Sequence, residues 1–242
     1  MTRANAVVSE TGAQAEPRTL AESVYRRLRA DIVWGRHAPG APLRSAELQA
    51  MYEVGISPLR EALARLISER LVETVGQRGF WVAPLRAEDV LDTMETRLVI
   101  ETAALRTAID KGDVAWEASI VAAYHSLSRF EIPRAPGPQA DAWAAHHKSF
   151  HLALLGACRS TWQLHFADLL FDQAERYRLV RARKNTTKAL TRKIEAEHRD
   201  IFDAVIARNK RAAVEALDAH YRATAADAAA ALAGEVTRGE QS

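Results

Sequence analysis

Apolar residues recur at helical spacing from Leu20 onward, with Val24, Leu28 and Ile32 on one stripe and Gly35 placed to end the segment before the turn-rich HAPGAP. Ser45 to Tyr52 reads as a short helix turning Leu48 and Met51 inward, followed by a tight turn at Glu53, Val54 and Gly55. Ser57 then stands where a helix cap is expected, with Pro58 as the first helical residue. This third helix runs to about Glu69, with Leu59, Leu63 and Leu66 facing the core. Leu71 to Val75 and Phe80 to Ala83 are β-prone runs on either side of GQRG, the pattern of a hairpin. Helix, helix, turn, helix, hairpin is the order of a winged helix-turn-helix.

Pro84 closes the hairpin, and from Glu88 onward the pattern is helical throughout. Helices are expected at about 88–110, 113–130, 139–156, 160–183, 188–207 and 210–232, broken by Lys111-Gly112, IPRAPGP, CRS, KNTT and ARNK. The fold class is therefore mainly α: an N-terminal winged helix-turn-helix over 18–85 and a C-terminal all-α helical bundle over 86–232. Residues 1–17 and 233–242 lack periodicity and read as disordered tails.

Composition narrows the function classes. With 48% hydrophobic and 26% charged residues in 242, the chain is globular rather than disordered. It carries neither an apolar run of the roughly 18 to 20 residues needed to cross a bilayer nor a secretory leader pattern, so a cytoplasmic location without a membrane partner is expected. The lone Cys158 excludes an internal disulfide and a cysteine-rich zinc site, which leaves the eight histidines and the carboxylates as metal donors. Residues 18–85 hold 10 Lys+Arg against 7 Asp+Glu, while 86–232 hold 21 against 20, so the basic excess lies in the N-terminal domain.

A helix-turn-helix offers the N-terminal part of its second helix to the major groove, here Ser57, Arg60 and Glu61. Arg60 can fork onto guanine or phosphate, or be a solvated surface arginine. Arg44, and Arg26, Arg27 and Arg29 on the first helix, are candidates for phosphate contacts. The hairpin tip Gly76-Gln77-Arg78-Gly79 offers Arg78 to the minor groove.

Four histidines fall on inward stripes of the bundle. Trp143, His147, Phe150, His151 and Leu154 share one helical face. His198 lies among Ile194, Ile201 and Val205, and His220 beside Leu217, Tyr221 and Thr224. His198 and His220 each lie 11 residues from Asn209 in the turn between the last two helices, which sets them level in an antiparallel pair. Four imidazoles turned inward are costly without partners, and imidazole suits a divalent transition metal such as zinc or nickel. A lone inward histidine, by contrast, is ordinarily a hydrogen-bonded core residue. Arg97 and Glu101 form an i,i+4 pair, either solvated or turned to a pocket. Arg176 and Arg178 read mainly as a basic exposed face, and Cys158 as a small buried residue.

The run PLREALARLISERLVETVGQRGFWVAPL, Pro58 to Leu85, resembles the recognition helix and wing of the GntR superfamily. In that family the residues matching Arg60, Arg78 and Gly79 contact DNA. The family commonly has an arginine two residues before the proline, where this chain has Ile56, which implies a different operator sequence or more indirect readout. SFHLALL and EHRDIFDAVIARNKRAAVEALDAHY resemble the FCD effector domain of the FadR branch. AHHKSFH together with VGISPLREAL is most similar to the subgroup of the carbon-starvation-induced repressor of enteric bacteria.

The resemblance implies three histidines, His151, His198 and His220, on a divalent metal at the floor of an effector cavity, with His147 where the family places an aspartate. It also implies a homodimer on a double-stranded DNA operator and a small carboxylate effector, with Arg97 at the cavity. The expected function is a ligand-responsive regulator, a repressor by resemblance, and not an enzyme. The rival is a metal-dependent hydrolytic enzyme built on the histidine cluster, which leaves the winged helix idle and lacks an assignable general base.

Overall fold

The computed structural model describes the backbone of residues 19–76, 78–133, 137–184 and 188–239, and their side chains outside 178–193 and 233–239. The first of two cores gathers α1 (Leu20–Val33), β1 (Pro42–Leu43), α2 (Ser45–Tyr52), α3 (Ile56–Ser68), β2 (Val72–Thr74) and β3 (Phe80–Val82). Thr19 caps α1 by accepting from the Glu22 amide at 3.1 Å, and Val24, Leu28 and Ile32 are buried against Leu59, Leu63 and Leu66 of α3. At roughly 1.5 to 3 kcal/mol for each fully buried side chain, this two-helix seam carries a large share of the small domain's apolar stabilisation.

Three details differ from expectation. The sheet has a third strand: β1 pairs antiparallel with β3 through Pro42 opposite Trp81 and Leu43 opposite Phe80, giving the order β1-β3-β2. Two residues are too few to leave an alternating pattern. In α2, Met51 is 55% exposed and Tyr52 is buried instead, because the inward stripe runs i,i+4 from Leu48. Finally, Ser57 is not the cap of α3. Glu53 makes the turn in the left-handed region (φ 56°), extended Gly55 holds the cap position, and helical geometry resumes at Ile56, so Ser57 and Pro58 lie within the first turn.

The second core belongs to α4 (Ala87–Lys111), α5 (Val114–Ser128), α6 (Pro138–Leu155), a 3-10 turn at Gly156–Cys158, α7 (Thr161–Lys184), α8 (Lys188–Ile206) and α9 (Lys210–Gly239). Local signals explain the boundaries. Asp113 caps α5 through the Trp116 amide at 2.9 Å, and Pro138 opens α6 just after Gly137. Gly112 admits no side chain, since a Cβ there would fall 2.0 Å from the Trp116 ring. Arg208 fastens the α8–α9 turn to this corner, donating to the carbonyls of Ile109 at 2.9 Å and Gly112 at 2.8 Å. α9 continues to Gly239, past position 232, running on from the alanine-rich stretch 223–233, whose residues favour a helix. The expected tail at 1–17 and residues 240–242 lie outside the described residues.

The two cores meet through Trp34, which packs against both, and through one face of α7. Asp172 pairs with Arg29 of α1 and takes Lys148 Nζ of α6 at 2.8 Å. Arg29 Nε also reaches Glu69, just after α3, at 2.8 Å. Gln173 Nε2 donates to the Glu69 carbonyl at 2.5 Å, and Arg176 donates to the Ala83 carbonyl at the end of the wing. Arg176 is thus buried at the domain junction rather than part of an exposed basic face, and burial lowers its pKa. The Arg178 side chain lies outside the described residues.

Candidate metal and effector site and DNA-reading surface

The structure brings His147, His151, His198 and His220 together, each offering a ring nitrogen such that all four lie within 4.8 Å of one another. Nitrogens at 2.0 to 2.1 Å from a tetrahedral zinc are about 3.3 Å apart, so a small contraction seats the ion. His147 and His151, one turn apart on α6, already place their Nε2 atoms 3.1 Å from each other. His198 of α8 and His220 of α9 have ring centres 4.7 Å apart.

Surrounding groups orient the rings. Glu197 Oε2 holds His220 Nδ1 at 2.9 Å, and Glu175 Oε2 faces His147 Nδ1 at 3.6 Å. Tyr221 donates its hydroxyl hydrogen to Glu101 Oε2 at 2.6 Å, so at its 3.3 Å contact with His151 it acts as the acceptor and Nδ1 carries the hydrogen. His151 Nε2 is then left as a lone pair aimed at His147. Burial first, then the neighbouring imidazoles, hold His151 well below its ordinary pKa, in the neutral form that a metal requires. Carboxylate and hydroxyl partners on the far nitrogens are the arrangement that fixes tautomer and ring angle at metal centres. The donor set therefore fits a divalent transition metal.

Arg97 and Glu101 are buried rather than solvated. Arg97 Nε binds Glu101 at 2.7 Å and its Nη2 donates to Tyr221 at 2.7 Å, which puts a compensated guanidinium on the cavity wall. Met94, Trp143, Phe171, Ala174, Ile194 and Thr224 complete the lining. The space above the histidines is about 30 Å³, room for a water or two. Glu175, Glu197 and Tyr221 had no sequence signal as site residues. Glu197 adjoins His198 in the chain but serves His220, a pairing set by how α8 packs on α9.

On the other domain, Arg60 and Ser57 are exposed on the first turns of α3, and Arg60 makes no ion pair among the described residues. Arg44, at the start of α2, and Arg78 and Gly79 of the wing line one groove together with Phe80 and Trp81. Gly79 has φ 108°, a conformation that side chains rarely adopt. Gln77 lies outside the described residues. The first-helix arginines have partners within the protein: exposed Arg26 pairs with Glu22 at 2.7 Å, exposed Arg27 donates to the Tyr52 carbonyl at 3.4 Å, and Arg29 is held at the domain junction. Ile56, 43% exposed, opens α3 beside these reading positions.

Residues 20–82 match the bacterial regulatory proteins of the gntR family, and residues 92–223 match the FCD domain. The chain is 38% identical over 212 residues to the uncharacterized HTH-type transcriptional regulator BphR of Paraburkholderia xenovorans (strain LB400), spanning 87% of this chain and 85% of that one. It is 35% identical over 197 residues to the HTH-type transcriptional repressor GlaR of Escherichia coli (strain K12), spanning 81% and 90%. The solved structure of E. coli McbR/YncC shares the fold, with a TM-score of 0.71 at 19% identity over 84% of this chain and 94% of that one. Among the described residues no helix is long and apolar enough to cross a membrane. The chain belongs to the gntR family of bacterial regulatory proteins, with an FCD domain behind its winged helix, and is a DNA-binding transcriptional regulator rather than an enzyme.

Proposed function

We propose that the chain is a cytoplasmic, homodimeric repressor released from its operator by a small carboxylate that binds over the histidine cluster. The carrying observation is the division of labour on α7. Phe171, Ala174 and Glu175 face the histidine cavity, while Asp172, Gln173 and Arg176 hold α1, the end of α3 and the end of the wing. A divalent metal on the four histidines would supply a Lewis-acidic point for the effector's carboxylate. The cavity is too small for a carboxylate as it stands, so admitting one displaces its walls. Displacement of α7 strains the bonds that set the winged helix, and the effector's differential affinity for the two arrangements is the coupling energy.

Arg60, Arg78 and Arg44 are the DNA-contacting residues of this reading, with Ser57, Gln77 and Gly79 beside them. The exposed Val99 of α4 and the exposed Trp162 and Phe166 of the adjacent α7 supply apolar surface for a second copy. The test is fluorescence anisotropy on a labelled operator at fixed salt, with small carboxylates added to the parent and to His198→Ala. The parent is expected to release DNA and the variant to stay bound. Equal release by both would remove the histidine cluster from the effector site.

A further inference from the structure

A larger cavity shares Trp143 with the one over the histidines. Between α5, α6 and α8 a space of about 350 Å³ is lined by Tyr124, Leu127, Phe130, Trp143, His198 and Arg199, within the size range of small-molecule pockets. Its aromatic walls are braced. Tyr124 stacks on Phe202 with ring centres 4.2 Å apart, Phe130 stacks on His146 at 4.6 Å, and Trp143 stacks on His147 at 4.4 Å. Apart from the buried His198, the polar groups are few and exposed: Ser128, Glu195 and Arg199. Arg199 carries its guanidinium carbon 5.9 Å from the Tyr124 ring centre and makes no ion pair among the described residues. Glu195, one turn earlier on α8, is exposed on the same rim.

We infer that this cavity is a second small-molecule site, for a planar aromatic monocarboxylate. Flat apolar walls favour an aromatic ring through offset and edge contacts. The uncommitted guanidinium at the mouth suits one carboxylate, held bidentately at a rim where the cation remains hydrated until the ligand arrives. Glu195 beside it repels a second negative charge, so an aromatic dicarboxylate is disfavoured. The site stands apart from the one over the histidines: its charged contact is Arg199, and it needs no metal. Trp143 and His198 are nevertheless common to both, since Trp143 lines the two cavities and His198 belongs to both the cluster and this wall. An occupant here touches Trp143, whose ring stacks on His147.

The experiment is titration of the full-length, chelator-treated protein with benzoate, followed by calorimetry and by tryptophan fluorescence, with phthalate and succinate as comparison ligands. Two variants at exposed positions accompany it: Arg199→Ala, which removes the cation, and Ser128→Trp, which fills the mouth. The expected result is saturable benzoate binding, phthalate and succinate weaker, and a loss of about tenfold or more in affinity for each variant. Thermal unfolding of the variants alongside the parent separates a lost site from a lost fold. The inference is overturned by absent saturation in the parent, by phthalate binding as well as benzoate, or by parent-like affinity in both folded variants. Loss of benzoate binding in His151→Ala with Arg199→Ala unaffected would place the ring over the histidines and overturn it too. None of these outcomes bears on carboxylate release through the metal-loaded cluster, which operator release in His220→Ala, a cluster residue outside this wall, tests separately.

Discussion

Asp172 of α7 is ion-paired with Arg29 of α1, and the pair lies one turn from Glu175, the carboxylate that faces His147. Both charges are largely shielded from solvent, with side-chain exposures of 5% and 18%. A bond across the domain boundary is thereby set beside the histidine cavity on a single helix.

Asp172→Asn is expected to uncouple the two domains. Arg29 would keep Glu69 and Lys148 would keep Asp168, so the stability loss falls below the 3 to 5 kcal/mol of a fully orphaned buried charge, at about 1 to 3 kcal/mol. Urea unfolding measures that loss. Operator anisotropy should show near-parental affinity with a blunted carboxylate response, and an undiminished response would mean that α7 is not the transmitting element.

The buried Arg97–Glu101–Tyr221 group should behave as a unit. Glu101→Gln leaves Arg97 without its counter-charge inside the bundle and is expected to cost about 3 kcal/mol, more than the roughly 1 to 2 kcal/mol for Tyr221→Phe. Chemical denaturation of both variants and the double variant gives the coupling; strict additivity would mean that Glu101 and Tyr221 act independently.

On the DNA side, Arg60→Ala should weaken operator binding by about 1 to 3 kcal/mol while leaving stability unchanged, because the side chain is exposed. Arg78→Ala should weaken binding more uniformly across operator sequences. Anisotropy with the operator and with base-substituted versions distinguishes the two, and parental affinity in Arg60→Ala would misplace the recognition helix.

Zinc or nickel should raise the melting temperature of chelator-treated protein, by the stabilisation that follows from binding only the folded state. His220→Ala should abolish the rise. Glu197→Gln should keep it but demand about 10- to 100-fold more metal, since Glu197 only orients His220. If Glu197→Gln matches the parent across the metal titration, the carboxylate has no part in the site.

The winged domain should weaken in mild acid through His37. Burial lowers the pKa of this ring from 6.5, so the fold favours the neutral form while the unfolded chain takes up a proton near 6.5. The stability that the neutral ring permits is therefore present above pH 6.5 and is lost as the pH falls below it. His37 also touches Tyr52, whose hydroxyl donates to Asp31. Unfolding midpoints against pH should flatten in His37→Asn; superimposable slopes would assign the acid sensitivity to other groups.

The fold was legible wherever periodicity persisted over several turns. Val24, Leu28 and Ile32 of the α1 stripe and Trp143, Phe150, His151 and Leu154 of the α6 stripe are buried at the positions that their spacing marks, with His147 partly so. Equal distance from Asn209 set His198 beside His220 because an antiparallel helix pair obeys simple arithmetic. Backbone events of one or two residues left no such trace: β1 is a pair of residues, and the start of α3 depends on Glu53 entering the left-handed region. Nor could spacing reveal partners chosen by tertiary packing. Glu175, Glu197 and Tyr221 are ordinary residues in sequence, and Arg176 looked exposed because its partner is a backbone carbonyl 93 positions away.

A 24-residue helix is about 36 Å long, and among the described residues α7 grips the DNA-reading half near its middle. Such a strut converts rotation into travel: a tilt of about 5° moves one end by about 3 Å relative to the other. In a two-fold assembly the displacement would occur twice with opposite sense, changing the spacing of the two reading heads by about twice that amount. Against half-sites whose separation is fixed by the pitch of the double helix, a ligand hardly larger than a few waters could thus make the protein the wrong width for its own operator.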